Sequence, residues 1–582
     1  MLQLLFGLVA LTAAPATCGW RPGEVVEATG EVQAGGLRGH MVRRVETGSG
    51  RLFETDDLGI IITRNGFDGH LAWSQDMSGG IHDLNSGFAR RLAASMAWLD
   101  GLQGCAPSTA KRLGIRTEKR RRFVDWRATP KGGVPFELWY DARTGRLDRA
   151  FFQTAETRLI RHFSDWRDIG GGRWVAFRQR DEFPEDESET LRRITHASVR
   201  RVATSADFAR PQPPNDVAML HGARSTSVPF DDDHRTRIFM PVVLNGKGPF
   251  LFELDNGGHD ILTKETADAL GLAGAGSFNS SGAGNAVSKS GIARVAQVRI
   301  GDAVIKDQPF SIRDFGSSND RSPNPPRAGI LGLELFERFV VAIDPAAKSV
   351  TLTPLGSTAQ PAGAAVPLVF TEDAPLIAGT YRGHGGDFML DTGNAGATII
   401  EDYWARPLGL TAALDRGVPR GDAKASLGTV GLGPFNLTGE VVTYYGPGER
   451  GSEYTRAVAG IYGEPLLSRF KSTYDYSRYA VWFEPLPGVG PVPFDRSGLS
   501  LAKSDGGVLK VSAVTPGSPA AEASIRANDL IRAIDGKPSV ALSRADAAAM
   551  LRQEPGTRVS LTGSFDGIEG SKTLSLRELV RP

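Results

Sequence analysis

Most of the chain alternates apolar and polar residues in short runs, each closed by glycine or a turn former. Between residues 20 and 205 the runs include Gly59-Ile60-Ile61-Ile62-Thr63, Asn65 to Trp73, Phe136 to Asp141, and Thr144 to Leu147. Period-two runs bounded by turn residues predict antiparallel strands joined by tight turns. One helix interrupts them: Phe88, Leu92, Met96 and Leu99 recur at near-helical spacing, and Gly101 is expected to stop it. Near the C-terminus, Val508–Val514 reads as a strand, Thr515–Ala523 as a turn into a short helix, and Asn528–Gly536 as a strand and turn. The pattern predicts a mainly β protein.

The middle of the chain repeats itself. Phe252-Glu253-Leu254-Asp255-Asn256-Gly257 aligns with Phe388-Met389-Leu390-Asp391-Thr392-Gly393 at an offset of 136 residues. Each acid ends an apolar strand, and a helical stretch follows, Thr263–Ala269 in one copy and Glu401–Arg406 in the other. Later, Gly329-Ile330-Leu331-Gly332 matches Gly460-Ile461-Tyr462-Gly463, and a small helix follows each. The step from Gly332 to Asp344 is 12 residues, as is that from Gly463 to Asp475.

These landmarks resemble the two lobes of a retropepsin-like aspartic protease. A lobe of that family has an apolar strand, Asp-Thr-Gly, and a later element of two apolar residues and a glycine. Asp391-Thr392-Gly393 fits fully, whereas Asp255-Asn256-Gly257 has asparagine where the family has threonine. The resemblance implies a pair of β-barrel lobes with Asp255 and Asp391 as the catalytic dyad. Asn256, Gly257, Thr392 and Gly393 would support it. Two carboxyls in hydrogen-bond contact share one proton, which equips one as base toward water and the other as acid toward a carbonyl. The glycines let the backbone approach the carboxyls, and the threonine hydroxyl of the family ties one loop to the other. Asn-Gly between strand residues is also a strong hairpin signal, so a plain turn is the second reading of that loop. Asparagine both donates and accepts, so part of the tie is expected to survive. Glycine-rich segments are candidate flaps over a cleft: Gly274–Gly291, containing Ser281, Gly282, Ala283 and Gly284, and the loop from Arg420 to Gly428. A simple surface loop is the alternative for both.

The C-terminal pattern, Pro516-Gly517-Ser518-Pro519-Ala520 followed by Asn528-Asp529-Leu530-Ile531 and Asp535-Gly536, resembles a bacterial PDZ domain, with Ser524 and Asn528 where glycines are usual. Such domains add an extended peptide to a sheet edge and hold its terminus by backbone N–H groups. Gly498, Leu499, Ser500 and Leu501 are the matching peptide-binding loop.

Composition narrows the classes. The chain has 582 residues, 41% apolar and 23% charged, with a formal net charge of +1, so nothing points to nucleic acid. The basic run Lys111–Arg122 is interleaved with acids and reads as a solvated strand and turn. Met1–Ala16 is an apolar run ending in an Ala-x-Ala site, resembling a secretory signal and predicting export to the periplasm or medium. Export would permit a disulfide between the two cysteines, Cys18 and Cys105; two unrelated thiols is the other reading. The nine histidines are scattered, and neither metal nor cofactor is expected. Residues 20–205, of unassigned role, loosely resemble the half-barrel of periplasmic lipoprotein-carrier proteins. The expected organisation is a signal peptide over 1–16, a β domain over 20–205 and a linker over 206–235. Protease lobes over 236–360 and 361–488 and a PDZ domain over 490–582 follow. The function expected is an aspartic endopeptidase acting on peptides or proteins, with a PDZ peptide ligand and no need of a dimer. The alternative is a non-catalytic peptide-binding scaffold with a decayed cleft. No Gly-x-Ser-x-Gly element supports a serine hydrolase.

Overall fold

The computed structural model describes residues 18–105, 109–281, 287–315, 326–356, 360–447, 456–504 and 506–580. The chain falls into two compact units, one of residues 1–76 and 82–212, the other of residues 77–81 and 213–582.

The first unit is built on a thirteen-stranded antiparallel sheet with Lys111–Glu118 at one edge. The helix Gly87–Leu102 buries Leu92 and Leu99 against Phe136, Leu138 and Phe152. It runs through Gly101 and stops at Gln103, whose φ of 48° breaks the helical path, so Gly101 does not end it. Gly101 packs where an added Cβ would lie 3.0 Å from the Gly48 carbonyl oxygen. Cys18 and Cys105 form a disulfide. Polar residues on the inner sheet face are ion-paired. Arg192 bonds Asp56 at 2.5 Å and Asp181 at 3.0 Å, Arg161 bonds Asp181 at 2.8 Å, and Arg43 reaches Glu54 at 2.9 Å and Asp100 at 2.5 Å. Asp181 lies at about 2: burial pushes it up, and the charges of Arg161 and Arg192 outweigh that.

In the second unit, an eight-stranded sheet contains Lys247–Leu254, Arg327–Leu331 and Ile261–Thr263 as neighbours, with Phe239–Leu244 beyond the first. A thirteen-stranded sheet repeats that order with His384–Asp391, Gly460–Gly463 and Thr398–Ile400, and Ala374–Tyr381 beyond the first. In both places the middle strand runs parallel to the strand that carries the acid and antiparallel to the next one. The lobes join where Phe339–Asp344 pairs antiparallel with Phe470–Asp475. The stretch expected to be a linker adds two strands here: Val217–Met219 pairs with Ala303–Arg313, and Thr226–Pro229 with Ser349–Pro354. One continuous apolar core runs from Val228 to Phe483, including stacked Phe388 and Tyr462 rings 4.5 Å apart.

The C-terminal sheet orders Leu499–Lys503, Leu509–Val514, Leu530–Ile534, Arg558–Phe565 and Ile568–Ser575 around its own apolar core. It docks on the second lobe through Phe494 and Val580, which pack against Ala425.

Candidate active site

Each acid sits where a strand runs out. Asp255 follows Lys247–Leu254, and its N–H donates to the Leu331 carbonyl at 2.9 Å, extending the parallel ladder by one residue. Asp391 ends His384–Asp391 opposite Gly463. The glycine elements are required here by close approach. A Cβ on Gly332 would lie 2.4 Å from the Gly258 carbonyl oxygen, and one on Gly463 would lie 2.4 Å from that of Gly396. Because Arg327–Leu331 is inserted between Lys247–Leu254 and Ile261–Thr263, the Asn256-Gly257 turn does not join two paired strands, and the hairpin reading of that loop is excluded.

The two acids meet. Their carboxyls are half-buried and hydrogen-bonded to each other. Each loop glycine lies beneath the opposite acid. A Cβ on Gly393 would be 2.2 Å from Asp255 Cγ, and one on Gly257 would be 2.7 Å from Asp391 Cγ, so any side chain at either position would push the pair apart. Asp255 Oδ1 accepts the Gly257 N–H at 3.0 Å. Asp391 Oδ1 accepts two N–H groups, from Gly393 at 3.0 Å and Asn394 at 2.8 Å.

That inequality separates the two acids. Burial raises both. Asp255 is driven further, well above the usual carboxylate range, by the Asp391 charge and by Glu253. For Asp391 the main-chain N–H groups and the hydrogen bond from Asp255 offset much of the burial, leaving it at about 6. The second main-chain N–H donor at Asp391 favours the charge on that side of a pair that titrates as a unit. Glu253 is itself buried and is held by Arg237 at 3.0 Å and by Arg327.

Asn256 and Thr392 lie beneath the acids, both with 0% exposure. The Asn256 N–H donates to Thr392 Oγ1 at 3.0 Å, and the Thr392 N–H donates to Asn256 Oδ1 at 2.9 Å. Thr392 Oγ1 donates onward to the Leu254 carbonyl at 3.0 Å. Asn256 Nδ2 donates to the Tyr476 hydroxyl at 3.2 Å. A main-chain N–H can only donate, so the Thr392 bond fixes which end of the Asn256 amide is oxygen. Tyr476 is buried between Phe336 and Phe370, with ring centroids at 5.6 and 5.2 Å.

Glu253 and Tyr476 were not among the expected site residues. Glu253 has a signal, a charge within an apolar strand one residue before the acid. Tyr476 has none beyond following Asp475. Of the candidate flap residues, Gly282, Ala283 and Gly284 lie outside the described residues. Ser281 ends the strand Ala275–Ser281, which pairs with Val287–Ile300, so the segment is borne by a hairpin. The second candidate loop is also a hairpin, Val418–Arg420 with Ala423–Leu432.

Gly498 precedes the edge strand Leu499–Lys503, which carries Leu499, Ser500 and Leu501. With the helix Arg544–Met550 this strand forms a groove of about 240 Å³, lined also by Ala395 and Gly396 of the Asp391 loop.

Comparison with known proteins matches these features. The aspartyl protease family matches residues 240–335, and the PDZ domain family matches residues 510–562. The chain is similar to the crystal structure of the aspartic proteinase from Irpex lacteus, at 16% identity and a TM-score of 0.32, covering 45% of this chain and 98% of that one. It is also similar to the crystal structure of an outer membrane lipoprotein-sorting protein domain from Vibrio parahaemolyticus, at 10% identity, a TM-score of 0.23, and coverage of 32% and 89%. A third similar structure is the photosystem II D1 C-terminal processing protease, at 23% identity, a TM-score of 0.14, and coverage of 15% and 24%. No curated protein matches the chain. The chain carries an aspartyl protease domain of the retropepsin-like kind and a C-terminal PDZ domain.

Proposed function

We propose that the protein is an aspartic endopeptidase whose dyad is Asp255 and Asp391, one acid from each half of a duplicated lobe, with a PDZ domain that docks peptide or protein segments. The observation that carries this reading is the carboxyl–carboxyl hydrogen bond over two glycines that leave no room for a Cβ. Asp391 takes a proton from a water, whose oxygen attacks the scissile carbonyl carbon. Asp255 gives its proton to the carbonyl oxygen, forming a gem-diol. Asp391 then protonates the leaving nitrogen as the C–N bond breaks, and Asp255 recovers a proton from the diol. Positioned acid–base transfer of this kind supplies about 10²–10⁴-fold.

The hairpin Ala275–Ser281/Val287–Ile300 serves as a flap over the bound peptide. Both acids come from one chain, so the site needs no second copy. The disulfide between Cys18 and Cys105 agrees with the export expected for the N-terminal run, and we assign the protein to the cell envelope or exterior. Digestion of a peptide library by the wild type and by Asp391→Ala tests the activity. Cleavage lost in the variant supports the reading. Equal background in both leaves only a peptide-binding scaffold.

A further inference from the structure

The groove beside Leu499–Lys503 carries charge that the peptidase chemistry does not use. Leu499 and Leu501 form one wall, and Ala545 and Ala548 the other. Four arginines also line it: Arg552 just after the helix, Arg420 from the hairpin Val418–Arg420/Ala423–Leu432 of the second protease lobe, Arg237, and Arg544 at the start of the helix. Arg420 is fixed there. The neighbouring Pro419 carbonyl accepts from Thr515 Oγ1 at 2.8 Å, and the guanidinium lies over the Phe494 ring at 5.4 Å.

The single carboxylate of Asp495 offsets only part of the charge of Arg420 and Arg552. Arg552 Nε has no hydrogen-bond partner among the described residues. Burial first, and then the Arg420 charge, lower the Arg552 guanidinium to about 10. Asp495 is the acid that opposes this, and its oxygens are already engaged. Asp495 Oδ1 accepts the Ser497 hydroxyl at 2.7 Å and the Ser497 N–H at 3.3 Å, and Oδ2 accepts the Gly498 N–H at 2.6 Å. The Leu499 N–H is likewise used, by Ser497 Oγ at 3.0 Å. The loop therefore spends on its own side chains the Gly498 and Leu499 N–H groups that a peptide terminus would need. Arg237, the remaining cation on the protease side, is paired with Glu253.

We propose that this groove receives a peptide carboxylate on Arg420 and Arg552, so that the PDZ ligand is gripped in part by the protease lobe. The proposal rests on the peptide-docking reading above and names the chemistry of the ligand. A charge-assisted, bidentate guanidinium–carboxylate contact is the strong form of such recognition. The carboxylate can be a chain terminus or an Asp or Glu side chain, and the test separates these.

Binding is measured by fluorescence anisotropy on the full chain carrying Asp391→Asn, which keeps the probes uncut. The probes are short labelled peptides of alternating Val and Ser, with a free or amidated C-terminus and with Glu or Gln at one interior position. We expect a peptide with a carboxylate to bind roughly tenfold tighter than the amidated Gln peptide. Arg420→Gln and Arg552→Gln should each erase that advantage. An advantage confined to free termini, or to Glu, identifies the source. Arg420 lies on a half-exposed hairpin, so its variant stays informative if Arg552→Gln fails to fold. Equal binding of charged and neutral peptides, or an advantage that survives both substitutions, would overturn the proposal alone. No binding by any peptide would overturn the docking reading with it, while library cleavage reports separately on the dyad.

Discussion

Asn256 and Thr392 exchange hydrogen bonds across the junction of the two lobes, each main-chain N–H donating to the other's side-chain oxygen at 3.0 and 2.9 Å. The Asn256 side chain is thus the acceptor for the Thr392 N–H at this junction. Replacing it by threonine should change kcat/KM by no more than a few-fold, because the tie is already made. Asn256→Ala removes the acceptor and leaves the Thr392 N–H buried and unpaired, at a cost of about 1–3 kcal/mol. Its kcat should fall, because the carboxyls lose their fixed spacing. Thermal unfolding and initial rates on one peptide check both variants.

Tyr476 completes that junction by accepting from Asn256 Nδ2. Tyr476→Phe keeps the ring between Phe336 and Phe370 and deletes only the acceptor. The expected loss is about 1 kcal/mol of stability with activity largely retained, measured by denaturant unfolding.

The dyad sets a pH profile. Asp391 is raised from 3.8 to about 6, so the base form fills as pH rises through that value. Cleavage should climb across pH 5–7 and fall again where Asp255, held higher, gives up its proton. These are apparent values of the pair. The same shift has a stability consequence. Between the unfolded value near 3.8 and about 6 the folded state binds more protons, so stability declines as pH rises through that window. Asp391→Asn should make the decline shallower, with the buried Asp255 still contributing, as followed by Tm against pH.

In the first unit, Arg192 faces Asp56 and Asp181 with 8% of its own surface exposed. Arg192→Leu strands Asp56 and leaves Asp181 to Arg161 alone, and should cost about 3–5 kcal/mol. Asp181 is depressed to about 2, so its pairing contributes fully above the unfolded value of 3.8 and is lost as pH falls through about 2. Acid unfolding of the variant against wild type is the check.

Local motifs carried the parts of this protein that could be read in advance. The Asp391 turn, the paired glycine elements and the Pro-Gly-Ser-Pro turn are short, and their geometry depends on residues adjacent in sequence. What escaped reading depends on distant partners. A hairpin stayed open as the second reading of the Asn256 loop because the strand inserted beside Lys247–Leu254 arrives more than 70 residues later. Glu253 and Tyr476 matter through contacts that only the closed lobes create. The ion pairs that Arg192 makes inside the first unit likewise join residues far apart in sequence, Asp56 among them. Gly498 and Leu499 were expected to offer free N–H groups, and the side chains that occupy them lie two and three residues before.

The most direct test of the dyad is kcat/KM on a cleaved library peptide for wild type, Asp255→Asn, Asp391→Asn and the double variant. Two acids that share one proton act as a unit, so each single change should abolish measurable turnover and the double variant should be no worse. Turnover in the double variant equal to that of wild type would contradict the account.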